Sequence, residues 1–303
     1  MTSNQNLTPN NVQLDAAKMI KREKIFKILK YVLLYTFLVS LAMLMIIPFY
    51  WMFLVSFKST AELEQPIQTI FTQNKFWWKN YQLAITNDNF QYGRLVFNTI
   101  WVGVWSTIGT LITTILAAFA FARIRFKGST FLFTLFMATM MIPGEMLITT
   151  NYQTVVKTFD WDDTYLGLIV PFLVSIFNIY LLRQSFKQIP DELYYAAKVD
   201  GTGDFKYLLR IMIPIGMPTI ITMTILKLMG TWNSYVWPNL IQNKAEMKLI
   251  SNGLRTSFKD AEGRAAQNVQ MAATTLVTVP LLLLFVFARK YIMRGVSRSG
   301  IKG

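Results

Sequence analysis

The residue types that carry out most enzyme chemistry are missing from this sequence. None of its 303 residues is histidine or cysteine, which removes the commonest general base, thiolate nucleophiles and disulfides. No Gly-x-x-x-x-Gly-Lys-Ser/Thr loop occurs, so the chain lacks the usual cradle for nucleotide phosphates. Its long apolar segments also contain no pair of carboxylates that could share acid–base work. These absences argue against a membrane enzyme and against a chain that binds ATP in such a loop.

Two groups of side chains could still bind a solute. Lys227 is the only ionisable residue well inside an apolar segment, and an ammonium there usually faces a cavity, the bundle interior or a partner. It could instead extend its charged end outward to the membrane surface. Shortly after it come Trp232, Asn233, Tyr235 and Trp237. Aromatic faces beside an amide suit sugar rings, but the same run fits an aromatic belt at a membrane interface, and the sequence leaves both alternatives open.

A third feature is a polar stretch between two apolar segments, residues 189–214. Pro190 stands where a helix can begin, because its missing N–H is not needed in the first turn. Asp191 and Glu192 suit the positive end of the helix dipole, and Gly201 stands where a helix should end. The spacing predicts a rod of roughly ten residues, about 15 Å long, which is too polar to enter a bilayer.

The elements that must position these residues are apolar. Hydrophobic residues make up 53% of the chain and occur in long runs, so the bilayer is the expected solvent. The sequence predicts an all-α integral membrane protein with six transmembrane helices. The predicted spans are Tyr31–Val55, Leu95–Ala122, Thr130–Thr149, Thr164–Leu182, Ile213–Trp232 and Met271–Tyr291.

The distribution of charge predicts the orientation. Lys and Arg number 19 in the segments on the N-terminal side of the predicted membrane and 10 in those on the other side. The positive-inside rule therefore places both termini in the cytoplasm. The net charge of +14 is mainly an orientation signal, which argues against nucleic acid as a partner. The basic segment Lys18–Lys30 is predicted either to lie along anionic membrane lipids or to be a solvated stop signal.

The polar stretch also resembles a known element. Permeases of binding-protein-dependent ABC importers carry a cytoplasmic coupling loop with the pattern Glu-Ala-Ala, three residues, Gly, nine residues, Ile-x-Leu-Pro. Here Ala196, Ala197, Gly201, Ile211 and Pro214 fall in register. The resemblance implies that the helix at the start of this stretch docks on an ATPase, and that the small Ala197 side chain faces the ATPase groove.

Two positions depart from the family's pattern. Tyr195 stands where the family has Glu, and Ile213 where it has Leu. The second change is conservative. The family's Glu forms a salt bridge with the ATPase, so in this chain that contact would fall to another residue, and Glu192, one turn earlier, is the candidate.

Other stretches resemble the carbohydrate-importing branch of the same family, similar to the maltose and multiple-sugar inner-membrane components. They are Ala117–Gly128, Met141–Gly144, Leu181–Phe186 and the aromatic run Thr231–Pro238. The Gly-rich ending Arg294–Gly303 resembles the C-terminal ending of the family in general. The resemblance covers the chain from about residue 31 to residue 303.

The resemblance implies a type I ABC importer permease fold in the plasma membrane, with both termini inside. It divides the chain into a basic, partly disordered cytoplasmic tail (1–30), a first transmembrane helix (31–55), a core of five transmembrane helices (94–291) and a cytoplasmic tail (292–303). The implied partners are a second homologous permease, two ATPase subunits or domains, an extracytoplasmic solute-binding protein and a carbohydrate substrate. ATP and Mg would bind on the ATPases, and this chain would hold no cofactor, no metal and no catalytic residue.

The resemblance also implies roles for particular residues. Those expected to take part in ATPase coupling lie in the loop and the tail: Glu192, Tyr195, Ala196, Ala197, Asp200, Gly201, Gly300, Lys302 and Gly303. Those expected to approach the binding protein are Asn252, Gly253 and Leu254. The substrate pathway is expected to involve Lys227 together with Trp232, Asn233, Tyr235 and Trp237.

Two alternatives remain for the function. The chain could be an ABC permease for another solute, such as a polyol or glycerol phosphate, because only the aromatic run favours sugars. It could also be a secondary transporter, which is less favoured, because such proteins usually carry intramembrane acids or a repeated half.

Overall fold

The structure of the chain is a computed structural model that describes residues 9–72, 76–258 and 266–300. Within those ranges the backbone is helical, with no strand. The α-helices are α1 (Pro9–Ser56), α2 (Thr60–Leu63), α3 (Lys79–Ile85), α4 (Tyr92–Arg123), α5 (Ser129–Thr139), α6 (Ile148–Tyr152), α7 (Tyr165–Ile169), α8 (Ile176–Lys187), α9 (Asp191–Val199), α10 (Asp204–Tyr207), α11 (Ile213–Trp232), α12 (Val236–Ile241), α13 (Ile250–Thr256) and α14 (Gln267–Gly300). Short 3₁₀ segments cover Gly144–Leu147, Val170–Phe172 and Ala245–Met247, and π-helical segments cover Gln153–Thr158 and Leu208–Met212.

Four stretches of helix are long and apolar enough to cross a membrane. They are Lys21–Ser56, Tyr92–Arg123, Asp204–Trp232 and Gln267–Tyr291. They contain the predicted first, second, fifth and sixth spans, so the prediction of long apolar helices is confirmed at these places.

The predicted third span is not one continuous helix. α5 ends at Thr139, and the chain resumes as helix at Gly144 with its axis turned by 87°. Pro143 lies at the break with an extended backbone, φ −59° and ψ 129°. A proline offers no N–H for the helical ladder and disfavours the helical conformation in the residue before it. The prediction of an unbroken helix over 130–149 is therefore wrong.

The predicted fourth span is also broken. It consists of Tyr165–Phe172 followed by Ile176–Lys187, which meet at 45°. Ser175 has an extended backbone and its hydroxyl accepts from the Asn178 N–H at 3.3 Å, which caps α8 as a new helix. The described residues therefore hold four candidate spans, or up to six if each bent pair crosses the membrane once.

The two ends of the chain are more helical than the composition indicates. α1 begins at Pro9 and continues without a break into the first span, so residues 9–30 extend that span as a helix. α14 likewise continues through Gly300. Of the predicted tail contacts, Gly300 is the last residue of α14, while Lys302 and Gly303 lie outside the described residues.

Clusters of buried apolar side chains join the helices. One lies between α4, α8, α9, the π-helical segment Leu208–Met212 and α11. It includes Phe119, Phe186, Ala197 and Met212. A second joins α3, α13 and α14 to the start of α4. A third lies between α4, α7 and α12. Because α9 contributes to the first cluster, the polar stretch 189–214 packs firmly on the bundle.

Candidate functional site

The short polar helix α9 is formed as the sequence predicts. It begins directly after Pro190 and ends at Val199, with Asp200 as its C-cap. Gly201 follows with φ +70°, a left-handed conformation that glycine adopts without a steric penalty. The Thr202 N–H then donates to the Ala197 carbonyl at 2.8 Å and the Gly201 N–H to the Lys198 carbonyl at 3.0 Å. This pattern closes the helix end and fixes where α9 stops.

One face of α9 is open to a partner. Glu192, Tyr195, Ala196 and Val199 are all exposed and follow one another at the spacing of a single helical stripe. Val199 is 89% exposed, although it is apolar. Asp200, at the end of the stripe, is exposed as well. We call these five residues the α9 stripe; it places four of the six coupling residues predicted within the loop on one surface.

Ala197 lies on the opposite face from the one predicted for it. Its side chain is 7% exposed and belongs to the apolar cluster between α4, α8 and α11. The expectation that Ala197 faces a partner's groove is therefore wrong. Its small size allows α9 to approach its own bundle closely, and Ala196 is the alanine that faces outward.

Arg123, the last residue of α4, fixes the start of α9. Its side chain is 3% exposed and donates to the Asp191 carboxylate. It also donates to the Phe186 carbonyl at 2.9 Å and to the Ile189 carbonyl. One guanidinium thus ties α4, α8 and α9 together. The sequence alone indicates Arg123 only as a positive charge near a membrane surface, because its partners lie more than sixty residues along the chain.

Further polar contacts fix the side and the end of α9. The Tyr194 hydroxyl donates to the Asp204 carboxylate at 2.7 Å, and Lys198 Nζ lies 2.8 Å from the same oxygen. The hydrogen bond to Asp204 raises the pKa of Lys198 above its ordinary value of 10.5, so the ammonium is fully charged near neutral pH. Arg125 donates to the Tyr195 hydroxyl at 3.0 Å. Tyr195, which replaces the family's Glu, is thereby held by its own chain.

A cavity of about 240 Å³ lies between α4, α7, α11 and α12. Lys227 lines it together with Ser106, Phe172, Thr231 and Trp237. The Lys227 ammonium donates to the Phe172 carbonyl at 3.1 Å and lies 5.9 Å from the centre of that residue's ring. In the described part of the chain no carboxylate forms an ion pair with Lys227, so the lysine retains capacity for a further acceptor.

The predicted aromatic run does not form a single surface. Trp232 donates its indole N–H to the Val277 carbonyl of α14 at 3.1 Å, and Tyr235 stacks beneath the Arg255 guanidinium at 5.0 Å. The Asn233 amide donates to the Met229 carbonyl at 3.0 Å. Of the four side chains only Trp237 lines the cavity, and its N–H is already bonded to the Gly167 carbonyl at 3.0 Å. The structure brings Trp237 and Lys227 together but not the rest.

The three residues predicted to approach a binding protein lie mostly inside the fold. Asn252 is 1% exposed, and its amide donates to the Tyr235 carbonyl at 3.0 Å. A Cβ added at Gly253 would lie 2.3 Å from Leu95 Cδ1, so this glycine permits α13 to pack against α4. Leu254 is half-buried against the second apolar cluster. The prediction that these side chains face a partner is not met in this structure; they hold α13 in place.

These features define a class of protein. In its described part the chain is an all-helical, multi-pass membrane protein, with a short polar helix on the surface between apolar helices and a mostly apolar cavity among them that contains the Lys227 ammonium.

Comparison with known proteins agrees with that class. Residues 109–298 match the family described as "Binding-protein-dependent transport system inner membrane component", and the chain belongs to this family. It is 28% identical over 257 residues to the sn-glycerol-3-phosphate transport system permease protein UgpE of Brucella abortus (strain 2308), covering 83% of this chain and 90% of that one. It is 27% identical over 267 residues to the arabinooligosaccharides transport system permease protein AraQ of Bacillus subtilis (strain 168), covering 88% and 94%.

A solved structure has the same fold. It is a chain of a bacterial ABC transporter involved in the import of the acidic polysaccharide alginate. The TM-score is 0.77 at 22% identity, over 89% of this chain and 97% of the other. The resemblance to ABC importer permeases is confirmed, and the chain is an inner-membrane component with several apolar helices.

Proposed function

We propose that this chain is one of two permease subunits of an ATP-driven importer for a sugar or oligosaccharide. Its partners would be a second homologous permease, two ATPases that bind ATP and Mg, and an extracytoplasmic solute-binding protein. The α9 stripe is the observation that carries the proposal, because it offers an exposed helix face on an immobile base. The chain itself would perform no catalysis.

The contacts that hold α9 on the bundle explain how movement of an ATPase could be transmitted to the membrane helices. Arg123 and the apolar cluster around Ala197 join α9 to α4, α8 and α11. Movement of an ATPase bound to the α9 stripe would displace these helices as a unit, since packed interfaces shift between discrete arrangements instead of deforming gradually. Such a shift between two permease subunits would open the solute path to alternate sides, as alternating access requires.

We further propose six spans with both termini in the cytoplasm, each bent pair crossing the membrane once. The excess of Lys and Arg on the α9 side supports this orientation. The chain has no cysteine, so a membrane-impermeant maleimide added to intact cells tests the variants Lys198→Cys and Lys244→Cys at a single site each. We expect labelling at position 244 and none at 198 until the membrane is permeabilised; the opposite pattern would refute the orientation.

The substrate is proposed to be a carbohydrate. A relative named for arabinooligosaccharides and a fold neighbour involved in alginate import support this class. Within the chain, Trp237 and the hydroxyls of Ser106, Thr231 and Ser234 line the cavity, and aromatic carbons with hydroxyl groups suit sugar rings. The test is ATP-dependent uptake by the reconstituted transporter with its binding protein, supplied with radiolabelled oligosaccharides.

A second candidate substrate is glycerol phosphate. The Lys227 ammonium in the cavity favours it, because a cation without an ion-pair partner in the described chain could bind a phosphate. A relative named for sn-glycerol-3-phosphate points the same way. Uptake of sn-glycerol 3-phosphate that Lys227→Met abolishes and Lys227→Arg retains would favour this candidate, whereas oligosaccharide uptake would favour the first.

A further inference from the structure

A cationic cleft lies beside α9, between the ends of α4 and α8 and the start of α5. Its volume is about 730 Å³. Besides Arg123, which is bonded to Asp191, its cationic lining residues are Arg125, Lys127, Arg183 and Lys187. We call these last four residues the cleft cations. Asp191 is the one carboxylate among the lining residues.

The cleft cations are not neutralised by the described part of the chain. In residues 9–72, 76–258 and 266–300 none of them forms a salt bridge, since the acid in the cleft pairs with Arg123. Several like charges gathered around one concave surface raise each other's energy and attract a counter-ion. The first turn of α5 adds to the positive field, because Ser129 and Thr130 line the cleft and the N-cap residue Gly128 provides no side-chain acceptor.

Arg183 is held in a geometry that suits a phosphate. Its guanidinium lies 3.8 Å from the centre of the Phe133 ring, and its Nε donates to the Phe121 carbonyl at 3.1 Å. These contacts fix the plane of the group, and no described hydrogen bond uses its two Nη atoms. A fixed guanidinium with free N–H groups binds phosphate oxygens with little loss of side-chain freedom.

The surface next to the cleft is apolar. None of the residues of α5 is buried, and Phe131, Leu132 and Leu135 are exposed on it. An anion that carried hydrocarbon chains could therefore place its charge in the cleft and its chains along α5. This combination of charge and apolar surface distinguishes a phospholipid from a free anion.

We propose that the cleft binds the headgroup phosphate of one anionic phospholipid, whose acyl chains lie along α5. In the orientation proposed above, this lipid belongs to the cytoplasmic leaflet. The bound headgroup would sit beside Arg125, which donates to Tyr195 of the α9 stripe. The anionic lipid would thereby fill the space between the α4–α5 connection and α9 and steady the surface that an ATPase approaches.

The test uses the full chain purified in detergent, so it does not depend on membrane orientation, and a failed topology experiment would not affect it. Phosphatidylglycerol and phosphatidylcholine are titrated separately, and lipid-bound chains are counted by native mass spectrometry. The variant Arg125→Gln/Lys127→Gln/Lys187→Gln removes three cleft cations. The matched control Lys79→Gln/Lys157→Gln/Lys244→Gln removes three exposed lysines that do not line the cleft.

We expect one phosphatidylglycerol to bind in preference to phosphatidylcholine, with affinity reduced about tenfold or more in the cleft variant. The control should change affinity less than about twofold. Equal losses in the two variants would show attraction by net charge alone and overturn the proposal. Inorganic phosphate that displaced the lipid completely would identify a free-anion site and overturn the lipid assignment. Circular dichroism of both variants establishes that they fold.

Discussion

The left-handed residue at the end of α9 offers the sharpest test of the proposed coupling helix. Gly201 has φ +70°, and no atom lies within 4 Å of the place where its Cβ would stand. A side chain at this position would therefore clash with no neighbour and would strain only its own backbone. The neighbouring Gly203 is equally uncrowded but has an ordinary extended backbone, φ −68° and ψ 156°. The pair separates backbone strain from every other effect of replacing a glycine.

The magnitude follows from that geometry. A non-glycine residue in the left-handed region costs about 1–2 kcal/mol, and a β-branched residue stands at the upper end of about 1–3 kcal/mol. This corresponds to roughly a 5- to 150-fold shift away from the observed end of α9. Gly201→Val should show the full effect and Gly201→Asn much less, because Asn tolerates this conformation. Gly203→Ala should have little effect.

The assay is co-purification of the partner ATPase with each variant, together with the thermal stability of the solubilised chain. We expect Gly201→Val to lose the ATPase while the membrane helices stay inserted, and Gly201→Asn and Gly203→Ala to retain it. The reasoning would be refuted if Gly201→Val retained the ATPase as well as Gly203→Ala does, because the end of α9 would then not determine docking.

Three further predictions concern the supports of the fold. Ala197→Trp should lower the free energy of unfolding by at least about 1–3 kcal/mol, because the larger side chain overpacks the cluster. Ala196→Trp should keep the thermal stability of the chain but lose the ATPase in a pull-down. Arg123→Met should leave the Ile189 carbonyl without its donor, at about 1–3 kcal/mol for a buried group, while the Phe186 carbonyl keeps the Ile189 N–H. Faster proteolysis within α9 should report the loss, and Arg123→Lys should restore only part of it. Asn80→Ala should lower the melting temperature, because its buried amide donates to the Ser56 and Lys58 carbonyls at 2.9 and 2.8 Å; an unchanged melting temperature would contradict its structural role.

Features that depend on neighbouring residues could be predicted from the sequence. The bounds of α9 follow from Pro190 and Gly201, whose effects act on their own backbone and that of the adjacent turn. The predicted span Ile213–Trp232 ends where α11 ends, because an apolar run in a bilayer is stable as a helix, although the continuous helix begins earlier, at Asp204.

Features that depend on distant residues could not be predicted. Nothing within α9 indicates whether Ala196 or Ala197 faces the bundle, because that choice is made by packing against α4, α8 and α11. The role of Arg123 depends on carbonyls and a carboxylate far along the chain. The break after α5 had a local signal in Pro143, but transmembrane helices often tolerate proline, so the signal did not decide between a kink and a turn of 87°.

The α9 stripe and the Lys227 cavity share two of their supporting helices. α4 ends at Arg123, which contacts the start of α9. Ser106, which lines the cavity, lies seventeen residues earlier on the same helix, about 25 Å from Arg123 along the helix axis. α11 contributes Ile220 and Met223 to the apolar cluster that contains Ala197, and it reaches the cavity at Lys227. Both helices are continuous between these points, and a rigid helix carries a displacement from one end to the other. A force applied at the α9 stripe would therefore reach the cavity along α4 and α11 together, so the width of the cavity between Ser106 and Lys227 is the quantity that docking of an ATPase should change.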